Sequence, residues 1–290
     1  MVLIADSGST KTDWNALTQT EVLQQVQTVG FNPMYQETED IFEELNKSLL
    51  PNLTDKNPTA IYFYGAGCSS PERSKRVSDA LQRLFPESEI YVYHDLLSAA
   101  RALCGHQPGI ACILGTGSNT CLYDGTKIID NVPSLGFLLG DEGSGAYLGK
   151  LLMRAYFYRE LPEELAQSLK NTYNITKDEF LDQLYGAEVP SRYIATFAKF
   201  VHDKRKHPVI KELIYVNFEN FFERHVVKYK DHTSLPVNFI GSIAFHFADT
   251  LKFTAKKYGL HIGQIIQSPS EGLIKYHQEL LAKSGTTNKV

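Results

Sequence analysis

Asp6 closes a short apolar run, Val2–Ala5, and is followed by Ser7-Gly8-Ser9-Thr10-Lys11-Thr12. That stretch combines backbone N–H groups, hydroxyls and one cation at the tip of a hairpin. Such a tip can cradle phosphate, because unpaired donors converge on anions. Lys11 could meet a β- or γ-phosphate as a point charge, or stand solvated at the hairpin tip. A carboxylate at the Asp6 position can hold Mg²⁺, which takes few carboxylates together with waters and phosphates. It can also simply cap its own turn. Gly115-Thr116-Gly117-Ser118-Asn119-Thr120 is a second turn of the same design, whose glycines let the backbone approach an anion closely. A plain hairpin turn explains the glycines but not the shared design. Asp95, after His94, is placed to act as a general base for a hydroxyl or as a helix N-cap, and the two roles are compatible. His94 itself reads as structural.

Three further stretches belong with these. Asp141-Glu142-Gly143-Ser144-Gly145 is expected to begin a helix, its acids complementing the macrodipole in the first turn. The glycines at 136, 140, 143, 145 and 149 exceed what a cap needs and suggest close backbone approach to a ligand. Asn32, after Gly30-Phe31, is either a turn former or an amide that binds hydroxyls as donor and acceptor at once. Gly241-Ser242, between a strand and a helix, has the form of a nucleotide contact, although many βα turns share it.

The elements that must position these residues follow from the hydrophobic periods. Residues 1–105 read βββαβαβα, which predicts a mixed sheet with helices on its faces. At Gly109 the plan restarts: strand 110–114, the second glycine turn, then strand 121–123. Gly8-Ser9-Thr10 superposes on Gly117-Ser118-Asn119 at an offset of 109 residues. Residues 160–232 read as helical with breaks at Pro162 and Pro190, and Val209–Tyr229 is the longest helix predicted. A strand at 235–240, a helix at 243–258, a strand at 262–266 and a helix at 273–282 complete the pattern. The expectation is α/β, with two domains of like topology, 1–108 and 109–272. The second carries a helical insertion, the helix 273–290 is a candidate addition to the first, and each domain offers a turn to a shared cleft.

Composition bounds the partners. The 290 residues are 43% hydrophobic and 21% charged, ordinary for a globular chain with a sizeable core. A net charge of −4 argues against nucleic acid as a main partner. Cys68, Cys104, Cys112 and Cys121 lack a CxxC pair and read as reduced thiols. The start shows no signal-peptide pattern, and the apolar runs are too short to span a bilayer. A cytoplasmic protein is expected. Zinc-type Cys/His spacing, GxSxG and GxxxxGK[ST] are all absent from the sequence.

Two Gly/Ser/Thr hairpin turns, an Asp between them, a DEGSG loop and a late strand–Gly–Ser–helix unit resemble the actin-like ATPase superfamily of sugar kinases, Hsp70 and actin, with ribonuclease H-like domains. Within it the chain resembles the BadF/BadG/BcrA/BcrD-type ATPases, in particular N-acetylglucosamine kinase-like members, over essentially its whole length. The resemblance implies that Asp6–Thr12, with Gly8, Ser9, Thr10, Lys11 and Thr12, is the first phosphate motif and that Asp6 serves Mg²⁺. It implies that Tyr64–Gly67 is a connecting segment and that Gly115, Thr116, Gly117 and Ser118 form the second phosphate motif. Gly241 and Ser242 would lie in the adenosine motif. Asp95 would take the proton of a sugar hydroxyl, with Asn32, Gly65, Thr116 and Asp141 at the sugar. The expected activity is ATP-dependent phosphorylation of an amino sugar such as N-acetylglucosamine, at its 6-hydroxyl, with a small-molecule partner and no membrane; a homodimer stays open. The chain departs from the family's DGGGTKT loop at Ser7 and Ser9, and has Phe137-Leu138-Leu139 where mammalian-type enzymes place a Trp. The alternatives are a kinase for N-acetylmuramic acid or glucosamine, or an ATP-driven activator of a redox partner. The activator would need an iron–sulfur cluster on cysteines, for which Cys104 and Cys112 are the nearest pair.

Overall fold

The computed structural model describes residues 1–8 and 11–287. Ser9 and Thr10, expected at a phosphate, lie outside the described residues. Val2–Ser7 (β1), Lys11–Leu17 (β2) and Val22–Val29 (β3) form an antiparallel meander. Thr38–Ser48 (α1), Ala60–Gly65 (β4), Pro71–Leu84 (α2), Glu89–His94 (β5) and Asp95–Cys104 (α3) follow. β4 runs parallel to β1 and β5 parallel to β4, so the strand order is β3-β2-β1-β4-β5. β1 is apolar almost throughout because both of its faces are covered. Leu3 and Ala5 join Trp14, Phe63, Ile41, Leu45 and Val77 in one core, while Val2 and Ile4 join Leu17 and Tyr64 in another. α1 is amphipathic by spacing: Ile41 and Leu45, four apart, are both fully buried, each such burial contributing about 1.5–3 kcal/mol. A reciprocal capping box of Glu37 and Asp40 starts that helix.

The plan then repeats. Gly109–Leu114 (β6), Ser118–Tyr123 (β7) and Ile128–Asp130 (β8) are a second antiparallel meander. Next come Gly136–Leu139 (α4), Gly145–Phe157 (α5), Glu163–Tyr173 (α6), Lys177–Gly186 (α7), Pro190–Ala195 (α8), Ala198–Asp203 (α9) and Pro208–Arg224 (α10). Pro236–Ile240 (β9), Ser242–His246 (α11), Ala248–Lys257 (α12), His261–Ile266 (β10) and Ser270–Thr287 (α13) complete the chain. β9 is parallel to β6 and to β10, giving the order β10-β9-β6-β7-β8. Both sheets therefore carry a meander on one side and two parallel strands on the other, the two mixed five-stranded sheets of the actin-like ATPase fold.

By their contacts, residues 1–107, 125–127 and those described from Ser268 on make one compact unit, and residues 108–124 with 128–267 make the other. α13 covers the Val2–Ile4 face of the first sheet through Leu273, beside Ala102 of α3. Gly272 permits that approach, since a Cβ there would lie 2.3 Å from the Ala102 carbonyl oxygen. In the second unit Phe218, Phe221 and Phe222 of α10 pack on Phe239 of β9 in one large core. Among the described residues no helix is long and apolar enough to cross a membrane.

Three local expectations are corrected. The helix expected over 209–229 runs Pro208–Arg224 and ends in a 3-10 turn at Val226–Lys228. The helix expected over 243–258 is broken at Phe247 into α11 and α12. Asp141 and Glu142 are not in the first turn of a helix: α5 starts at Gly145, capped by Ser144, and both acids precede the cap. Asp141 (φ 63°) and Gly143 (φ 83°) adopt left-handed backbone, so the regular turns of α5 begin only after them.

Candidate functional site

In the first unit the candidate residues gather at the C-terminal ends of β1, β4 and β5. Asp6 pairs in register with Tyr64, Ser7 with Gly65, and Gly65 with His94, so Asp6, Gly65 and Asp95 end adjacent parallel strands. Sheet geometry sets this level, because parallel strands in register finish together. Asp6 Oδ1 accepts a hydrogen bond from Ser98 Oγ at 2.8 Å. Burial raises the Asp6 carboxyl to about 7; the Ser98 bond opposes this, and the negative charges of Asp95 and Asp13 add to it. A buried carboxylate facing like charge is one that a bound cation would relieve. No group of three or more metal-type side chains occurs among the described residues. The single buried Asp6 carboxylate has the chemistry of a hard-cation ligand of the kind that shares its ion with water and phosphate.

At the first turn the Gly8 N–H donates to the Lys11 carbonyl at 3.0 Å. Lys11 Nζ pairs with Asp13 at 2.8 Å, with its side chain 58% exposed. The Thr12 hydroxyl is buried and committed to the sheet, bonded to Ser7 Oγ at 2.7 Å and to the Val29 carbonyl at 3.0 Å. Asp95 is the first residue of α3. The cap is His94, whose Nδ1 accepts the Leu96 N–H at 3.2 Å. Asp95 Oδ1 lies 2.9 Å from that same nitrogen, yet has no hydrogen-bond partner among the described residues. Asn32 is held from behind: its Oδ1 accepts the Met34 N–H at 3.0 Å, and its own N–H donates to Gln36 Oε1 at 2.7 Å. Gly67 (φ 82°) makes room for it, since a Cβ there would stand 2.1 Å from Asn32 Oδ1.

In the second unit three candidate stretches meet at one end of the sheet. The β6–β7 turn closes through the Gly115 N–H to the Gly117 carbonyl at 3.0 Å. The N-terminus of α5 plugs into it: Gly145 N–H donates to the Gly115 carbonyl at 2.8 Å and Ala146 N–H to the Thr116 carbonyl at 3.0 Å. Asp141 is buried against the turn. Its Oδ1 accepts from Ser134 Oγ at 3.0 Å and from the Ser118 N–H at 3.3 Å, and its Oδ2 would lie 3.1 Å from a Cβ on Gly117. Gly241 (φ 118°) touches the same turn, where a Cβ would sit 2.4 Å from the Leu114 carbonyl oxygen and 3.1 Å from the Gly115 nitrogen. Ser242 opens α11 directly after it.

Sequence reasoning missed the side chains that hold these groups. Ser98 lies three residues after Asp95 on α3, a spacing that places both on one face and could have drawn attention. Ser134 had no signal. α10 presents Asn217 and Arg224, and its C-terminal cap His225, to the DEGSG turn: Asn217 Oδ1 accepts the Gly143 N–H at 3.0 Å, and Glu142 pairs with Arg224 at 3.2 Å and His225 at 3.3 Å.

No protein-family model matches the chain, and no curated protein matches it. Among solved structures, a candidate N-acetylglucosamine kinase from Porphyromonas gingivalis is 42% identical, covers 96% of this chain and 99% of its own, and superposes with a TM-score of 0.91. A second candidate N-acetylglucosamine kinase, from Chromobacterium violaceum, is 18% identical over 95% of this chain and 98% of its own, with a TM-score of 0.74. A ROK hexokinase from Thermus thermophilus, 14% identical over 92% of each chain, has a TM-score of 0.54. The latter two share the fold; the first shares the sequence as well. The chain belongs to the same family as the Porphyromonas gingivalis protein, on the actin-like ATPase fold that the sugar kinases use.

Proposed function

We propose that the chain is an ATP-dependent sugar kinase of the BadF/BadG/BcrA/BcrD type, acting on the 6-hydroxyl of an amino sugar such as N-acetylglucosamine. The observation that carries this reading is the pair of carboxylates, Asp6 at the end of β1 and Asp95 directly after β5, at the same end of one parallel array with only β4 between them, beside a glycine hairpin. Phosphoryl transfer asks the protein mainly for positioning and charge neutralisation, and these two groups divide that work. Asp95 orients the attacking hydroxyl and takes its proton; its Oδ1 is buried 2.9 Å from His94 Nδ1, which leaves Oδ2 for the hydroxyl. Asp6, bonded to Ser98, would hold Mg²⁺, and a divalent ion there would supply charge neutralisation for the transferred phosphoryl group.

The other residues bind. Gly8 and Lys11, with Ser9 and Thr10, take phosphate at the first turn, and Gly115, Thr116, Gly117 and Ser118 at the second; Thr12, expected at a phosphate, instead braces the turn, its hydroxyl buried on Ser7 and Val29. Gly241 and Ser242 take the adenosine. Asn32, Gly65, Thr116 and Asp141 hold the sugar, Asp141 through the carboxylate oxygen that Ser134 and Ser118 leave open. The likeness to the Porphyromonas gingivalis protein supports the N-acetylated amino sugar as first substrate to test. The test is ADP release measured over N-acetylglucosamine, N-acetylmuramic acid, N-acetylmannosamine, glucosamine and glucose. Sugar-dependent release with N-acetylglucosamine preferred is the expected result. Release that no sugar stimulates overturns the reading.

A further inference from the structure

A cavity of ≈ 540 Å³ lies in the second unit between α4, α5 and α7, and none of the residues assigned above to nucleotide or sugar lines it. Its walls are apolar: Leu138 and Leu139 from α4, Leu151 and Phe157 from α5, Phe180 and Leu184 from α7. Leu138 and Leu139 are 84% and 78% exposed, so a single helical turn holds two leucines out toward the cavity mouth. Isolated exposed leucines need no explanation, but two on one turn beside an apolar cavity of ligand size do.

The charged residues of the lining narrow the occupant. They are Lys150, Arg154 and Lys177, with no acid among them. Arg154 and Lys177 are exposed and form no ion pair among the described residues. Lys150 is half-buried; its ammonium donates to the Phe137 carbonyl at 2.6 Å and lies 3.5 Å from the Gly140 carbonyl. Burial holds its pKa below the ordinary value. The cavities elsewhere on this unit mix both signs: Lys211 with Glu212 and Asp249 in one, Arg224 and Lys228 with Glu142 and Glu223 in another.

We propose that this cavity binds a small amphiphilic anion, an acyl or aryl chain ending in a carboxylate, with its chain between α4 and α7 and its charge at Lys150, Arg154 and Lys177. The site borders Gly140, so an occupant touches the segment that leads into Asp141. Its existence does not depend on the kinase reading, and neither does its test, which uses neither ATP nor sugar.

Decanoate is titrated calorimetrically into the full chain. The expected result is saturable binding of one decanoate per chain. Decanol, with the same chain and no charge, is expected to bind roughly tenfold more weakly, as is decanoate to the Arg154→Glu, Lys177→Glu double variant. The double variant should unfold in urea at the wild-type midpoint, because both side chains are exposed. Absence of saturable binding overturns the proposal, as does equal affinity of the double variant. So does a chain that sediments as a dimer and binds decanoate only once Leu138→Asp has dissociated it, since that result makes the face an interface between copies.

Discussion

Lowering the pH should destabilise the first unit through one histidine. His277, on α13, is fully buried. Arg101 Nη1 donates to Tyr64 Oη at 2.6 Å, so Tyr64 turns its own proton to His277 Nε2, 2.9 Å away. A proton on Nε2 would have to displace that bond beside the Arg101 cation. Burial first, and then the Arg101 charge, lower the imidazole from 6.5 to about 3. The sign follows from the depressed folded pKa of a cationic acid: below 6.5 the unfolded chain takes up a proton that the folded chain refuses. Stability is complete above 6.5 and falls progressively as the pH drops from 6.5 toward 3. The slope is about 1.4 kcal/mol per pH unit, so pH 4.5 removes about 2–3 kcal/mol relative to neutrality. His277→Phe keeps a ring against Tyr62, whose centroid is 4.4 Å away, and cannot charge. It loses the Tyr64 bond at every pH, about 1 kcal/mol that cancels within its own pH series. The assay is urea unfolding at pH 7 and pH 4.5 followed by the fluorescence of Trp14, the chain's single tryptophan, which is buried in this same unit. Asp6, raised to about 7 by burial, works in the opposite direction, but it is common to both proteins and drops out of the difference. The wild type should lose about 2–3 kcal/mol more than the variant between the two pH values. Equal losses would refute the reasoning.

Three further outcomes test the site. Asp95→Asn should lower kcat by about 10²–10⁴ while nucleotide affinity, measured by equilibrium titration, stays at the wild-type value; full turnover would remove Asp95 as the base. Gly67→Ala forces a Cβ to 2.1 Å from Asn32 Oδ1 on left-handed backbone, a strain of about 1–3 kcal/mol; steady-state kinetics should show a raised KM for sugar, and an unchanged KM would mean that Asn32 is not at the sugar. Ser134→Ala removes the 3.0 Å bond to Asp141 and should raise the sugar KM by up to about tenfold with kcat largely retained, whereas a fall in kcat alone would place Asp141 in the chemistry instead.

The fold was legible where periodicity is strong. β1 and β6 are continuous apolar runs because both sheet faces are covered, and each is followed by a glycine turn that leaves the next strand one direction to take. β8 escaped because three residues, Ile128-Ile129-Asp130, show no alternation to read. α4 escaped because Phe137-Leu138-Leu139 on an exposed turn looks like an apolar loop. At 141–145 the macrodipole argument placed the acids in a helix because it could not see that two left-handed residues use up the segment before Ser144. The groups that fix the candidate carboxylates were illegible for a different reason. Ser98 reaches Asp6 across 92 positions, and His225 reaches Glu142 across 83. No local pattern encodes such a partner; only the folded sheet and helices bring it into range.

The return of α13 to the first sheet has a consequence for biosynthesis. Val2, Ile4 and Leu17 are covered on one face by Leu273, so a ribosome must add the whole of the second unit after α3 before that face can be sealed. At about 5–20 residues per second the delay is roughly 10–30 s. Throughout it the nascent first sheet shows an apolar face with its final cover not yet translated, which makes the interval the one in which a holdase chaperone has most to protect. The second unit, almost continuous in sequence, carries no such wait.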